Sequence, residues 1–124
     1  MSGTTMKDEA MRLTIVSRDV AINDVMRDVL ERRTHFTLGR FGGAIRSVRI
    51  GLHDENGPRG GIDKCCRVLV QPYRGEPIVV EGRGAEVRAL FDQTLQRTGR
   101  TLTRAMQRSA KHPAGRRREA SLSG

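Results

Sequence analysis

The chain has 124 residues, enough for one small domain with loose ends, and a formal net charge of +9. That excess favours a polyanion, either nucleic acid or an anionic membrane surface. No apolar run approaches the roughly 20 residues of a spanning helix, and residues 1–7 hold no apolar stretch of signal-peptide length, so a cytoplasmic protein with no membrane partner is expected.

With no Trp, three Phe and one Tyr, stacking of single-stranded bases on aromatic platforms is disfavoured; charge, shape and backbone contacts remain. Residues 1–10 are polar and read as a disordered N-terminal segment. From 11 to 17 the pattern alternates. Met11, Leu13 and Ile15 point one way, and Arg12, Thr14 and Ser17 lie off that face, which describes a half-buried strand. Asn23, between Ile22 and Asp24, is a good N-cap and opens a helix expected to run to about residue 40. Its apolar side reads as Ile22, Val25, Val29, Phe36 and Arg40, with Met26 and Leu30 at the edge. Arg33 falls inside that stripe, either snorkelling to the rim or reaching a ligand. Gly42-Gly43 should end the helix.

A second strand is expected over 45–53, with Val48, Ile50 and Leu52 inward and Ser47, Arg49 and His53 outward. Residues 54–61 are rich in turn formers and read as a loop. A third strand over 64–71 turns Cys66, Val68 and Val70 inward and Cys65, Arg67, Leu69 and Gln71 outward. A turn at 73–76 leads to a short fourth strand over 78–81. Gly82-Arg83-Gly84 then leads into a long helix over about 85–109. Pro113 breaks any continuation, and 110–124 reads as a basic, disordered tail.

The order β-α-β-β-β-α predicts an α+β domain over 11–109. Its expected form is a four-stranded mixed sheet with two helices packed on one face, a layout like that of double-stranded-RNA-binding domains. Six of the nine net charges fall in 85–124. On the last helix Arg97, Arg104 and Arg108 project in nearly one direction, with Arg100 adjacent. The stripe Val87, Phe91, Thr94, Thr98, Leu102 and Ala105 lies about a quarter turn away. One face can bury while its neighbour offers guanidiniums to RNA phosphates.

In the loop, Gly57-Pro58-Arg59-Gly60-Gly61 lacks the Walker spacing; Arg59 is a possible phosphate contact in a flexible hairpin loop. Cys65 and Cys66 are adjacent and make no disulfide framework; two reduced thiols, one inward and one outward, are expected. His53 and Asp54 precede them, but no zinc spacing is matched. His35, His53 and His112 are scattered, and no acid–base set or metal cluster stands out. The expectation is no enzyme, no cofactor, no metal and no small-molecule substrate.

The element order, the segment 23–33, the loop 54–63 and the long basic last helix resemble the ribosome hibernation-promoting factor and ribosome-associated translation inhibitor family over roughly 11–108. The resemblance implies a partner: the small ribosomal subunit and its ribosomal RNA, bound in the groove between head and body. It implies a mechanism too, occlusion of the messenger- and transfer-RNA path that silences and stabilises idle ribosomes. Basic positions carried over are Arg27 and Arg33 on the first helix and Arg97, Arg100 and Arg104 on the last. Arg108 extends that face; Arg88 is a further expected RNA contact, at a position where short family members often carry an aromatic residue. The chain resembles the short forms, with no self-dimerisation through a C-terminal domain. Two alternatives stand beside this reading. One is a free-standing double-stranded RNA binder, against which the leading strand argues; the other is a small ligand-binding or enzyme domain using the 54–63 loop and the two cysteines.

Overall fold

The computed structural model describes residues 11–55 and 64–111, with side chains as far as Arg108. The expected N-terminal segment, most of the loop with Arg59, and the tail from 112 lie outside the described residues. Strand β1 (Arg12–Arg18) is followed by helix α1 (Asp24–Leu38) and a 3-10 segment (Gly39–Ala44). Three strands come next, β2 (Ile45–Asp54), β3 (Lys64–Pro72) and β4 (Ile78–Gly84), and then helix α2 (Val87–Lys111). The strands form one sheet in the order β1-β2-β3-β4. β1 pairs parallel with β2, because the chain crosses over through α1 before returning. β2, β3 and β4 form an antiparallel meander.

Strand parity follows the alternation of the sequence. Met11, Ile15, Val48, Ile50, Leu52, Cys66, Val68 and Val70 are buried in a single core. Full burial of each aliphatic side chain contributes about 1.5–3 kcal/mol. Leu30 and Leu38 of α1 and Leu90, Phe91, Leu95 and Leu102 of α2 join the same core, so both helices cover one face of the sheet.

Asn23 caps α1 as its residue type demands: its Oδ1 accepts from the Met26 N–H at 2.8 Å. The buried face of α1 differs from the expected one. Val25 and Phe36 are 72% and 88% exposed, whereas Leu30, Thr34 and Leu38 are buried. The core face is thus turned by about two-fifths of a turn from the apolar stripe read in the sequence. Thr34 can occupy it because its hydroxyl donates to the Leu30 carbonyl at 2.8 Å, leaving no polar atom unpaired. The α-helix also stops at Leu38 rather than near 40. The 3-10 segment follows, with Gly42 at φ 55° and ψ −131°, a backbone region that side chains avoid.

Two further boundaries shift. Gly82, Arg83 and Gly84 belong to β4 and do not form a linker. Helix α2 starts at Val87 because Glu86 caps it, its carboxylate accepting from the Ala89 N–H at 2.9 Å and the Arg88 N–H at 3.3 Å. On α2 the hydroxyls of Thr94 and Thr98 donate to the carbonyls of Leu90 and Thr94, both at 2.8 Å, so a polar residue type sits dry in the core. Gly82 allows the close seating of α2 on β4: a Cβ there would lie 2.6 Å from Thr94 Oγ1.

Candidate nucleic-acid interface

Helix α2 has three sides. Leu90, Phe91, Thr94, Thr98 and Leu102 face the sheet. Asp92 and Gly99 face α1: Asp92 Oδ2 lies 3.4 Å from Arg33 Nη1, and Gly99 packs beside Thr37 and Arg40. Counted at 100° per residue, Arg97, Arg104 and Arg108 lie about 120° or more from Asp92 and Gly99. They form the flank on the β4 side, where Arg97 Nη1 donates to the Glu81 carbonyl at 2.8 Å. Arg100, Arg104 and Arg108 are exposed, and among the described residues they make no ion pair or hydrogen bond. Three unpaired guanidiniums on a rigid rod can each take a phosphate without first breaking an internal contact.

The remaining expected positions are not gathered on this flank. Arg27 is half-buried and its Nη1 donates to the Ile15 carbonyl of β1 at 2.9 Å, tying helix to strand. Arg33 is exposed and paired with Asp92 on the α1 side. Arg88 is half-buried, with its Nε enclosed and without a hydrogen-bond partner.

The structure adds a second basic surface. The outward face of the sheet, which neither described helix covers, carries arginines from all four strands. A groove of about 780 Å³ there is lined by Arg18, Arg49, Arg67 and Arg83, and Arg97 reaches its rim from α2. The helix flank and the sheet surface therefore meet at Arg97. Two of the sheet arginines are engaged: Arg67 Nε lies 3.4 Å from Glu81 Oε2, and Arg83 Nη2 lies 3.0 Å from Glu55 Oε2. Sequence reasoning missed this group as a site, although it placed Arg49 and Arg67 outward. The signal that unites them is strand register, with Gly51 opposite Arg67 and Cys65 opposite Arg83.

The two cysteines are free and divide as parity requires, Cys66 fully buried and Cys65 partly exposed. Burial pushes the Cys66 thiol up to about 11. Cys65 is also raised, first by partial burial and then by its hydrogen bond to Glu55. Among the described residues, no helix is long and apolar enough to cross a membrane.

No protein-family model matches the chain, and no curated protein matches it. Solved structures do. The fold is shared with a ribosomal subunit interface protein from Coxiella burnetii, at TM-score 0.64 and 16% identity over 77% of this chain and 97% of that one. It is shared also with the N-terminal domain of Protein Y from Thermus thermophilus, at TM-score 0.59 and 19% identity over 73% of this chain and 93% of that one. The fold implied by the family resemblance in the sequence is therefore the fold found.

Proposed function

We propose that this protein is a cytoplasmic ribosome-associated factor that binds the small subunit through ribosomal RNA. Bound there, it blocks the messenger- and transfer-RNA path and holds ribosomes idle. It acts by occupancy and catalyses nothing. The observation that carries the reading is the unpaired Arg100, Arg104 and Arg108 flank on a fold shared with a ribosomal subunit interface protein. Neutralising phosphates with arginine releases counterions, so affinity falls steeply with salt. The paucity of aromatic side chains fits recognition by shape and backbone in place of stacked bases.

The test is co-sedimentation of the chain with purified small subunits across a salt series, with plain duplex RNA as competitor. Binding that weakens with salt, resists duplex RNA and is displaced by messenger RNA is the expected result. Equal displacement by plain duplex would make the chain a general double-stranded RNA binder. A failure to sediment with subunits at low salt would remove the ribosomal reading altogether.

A further inference from the structure

His53 and Cys65 face one another across the β2–β3 ladder, and Glu55, one residue past the end of β2, lines the same groove. Register thus brings together three side chains that lie twelve residues apart along the chain at their extremes. One donor atom from each lies within 4.8 Å of the other two. His53 Nε2 is 3.7 Å from Glu55 Oε2, and the Cys65 thiol is hydrogen-bonded to Glu55. In a tetrahedral zinc site, with bonds of about 2.0 Å to nitrogen or oxygen and 2.3 Å to sulfur, ligand atoms sit about 3.3–3.7 Å apart. The present cluster is a small rotamer adjustment from that spacing.

We propose that His53, Glu55 and Cys65 form a binding site for a thiophilic divalent cation of the zinc class. The donor set is chemically apt: one thiolate, one carboxylate and one neutral imidazole balance a double positive charge. On binding, the Cys65 proton goes to solvent and a metal–sulfur bond replaces the S–H bond. All three donors line the sheet-face groove, so the fourth position is open there for water or an anion. Arg83 competes for the site because its guanidinium holds Glu55 at 3.0 Å. Arg83 is 62% exposed, so it can swing clear when the cation takes the carboxylate. Cys66 takes no part, being buried on the opposite face.

The experiment adds cobalt(II), a spectroscopic substitute for zinc, to the reduced, tag-free full chain. A one-to-one complex with a near-ultraviolet thiolate-to-cobalt band, bleached by equimolar zinc, is expected. Cys65→Ser should abolish the band, and His53→Ala should weaken binding at least tenfold, each with an unchanged circular dichroism spectrum. Cys66→Ser should keep the band, and Arg83→Gln should tighten binding. Absence of the band in the unaltered chain overturns the proposal. So does a band that survives Cys65→Ser, or one that disappears equally in a folded Cys66→Ser variant.

Discussion

The α2 flank and the open sheet face both present arginines, but they hold them differently. On the flank, Arg100, Arg104 and Arg108 project from one helix and, among the described residues, have no acidic partner. On the sheet, Arg67 and Arg83 are each held by a glutamate, Glu81 and Glu55. A polyanion that approaches the flank meets charge already available. One that approaches the sheet finds Arg18 and Arg49 exposed, but at Arg67 and Arg83 it must first displace an intramolecular partner, and the glutamates left behind repel it. The number of arginines on a surface therefore does not by itself set its affinity.

The largest expected effect separates the two surfaces directly. Charge reversal of Arg100, Arg104 and Arg108 to Glu should weaken subunit binding on the order of 100-fold or more. It should also reduce the salt slope by roughly 0.7–0.9 for each phosphate that is no longer neutralised. Reversal of Arg74, in the β3–β4 turn, serves as the control for net charge. Reversal of Arg67 and Arg83 should weaken binding far less. If the sheet pair matters as much as the helix triple in co-sedimentation, the distinction drawn from their partners is wrong.

A second effect concerns the buried side of the same sheet. The folded-state pKa of Cys66 is about 11 against an ordinary 9.0, so between those values the folded chain keeps a proton that the unfolded chain loses. The contribution is fully present below pH 9 and is lost as pH rises toward 11. Its size is roughly 2–3 kcal/mol. Urea unfolding at pH 8.5 and pH 11 should show this decline, and Cys66→Ala should flatten the part of the pH dependence due to the thiol.

A third prediction targets the place where the two surfaces join. Gly82→Ala puts a methyl group against Thr94 Oγ1 and near Leu90. Such overpacking costs about 1–3 kcal/mol, so thermal unfolding should shift downward and α2 should lift from β4. The smallest effect is expected at the Arg67–Glu81 pair, where both partners are well exposed. Arg67→Gln should change stability by roughly 0–1 kcal/mol, within reach of a chemical denaturation curve.

These contrasts also show what could be read from sequence. Strand parity was plain in Met11/Leu13/Ile15 and Val48/Ile50/Leu52, because a two-residue period leaves one inward set per strand. The Asn23 cap and the arginine side of the last helix were readable for the same reason: each depends on near neighbours in sequence. The core face of α1 was not, since Val25, Val29 and Phe36 mark one side of the helix and Leu30 and Leu38 another, so apolar residues alone offer two candidate faces. Packing chose the side with Leu30 and Leu38, and Thr34 could join it by bonding its own helix. The sheet arginines and the His53–Glu55–Cys65 cluster depend on which residue of one strand lies opposite which of the next. Spacing along the chain carries no record of that register.

Arg27 and Arg97 have a consequence for how the sheet ends. β1 and β4 are the outer strands, and each has one carbonyl taken by an arginine from a covering helix, Ile15 by Arg27 and Glu81 by Arg97. An outer strand whose acceptors are open is a template for a foreign strand, and natural sheets blunt such strands with charge. Here each margin has given up an acceptor and gained a bulky cation, so a strand from another molecule would have to evict a guanidinium before it could pair. The two helices thus act as guards against sheet extension as well as a roof over the core.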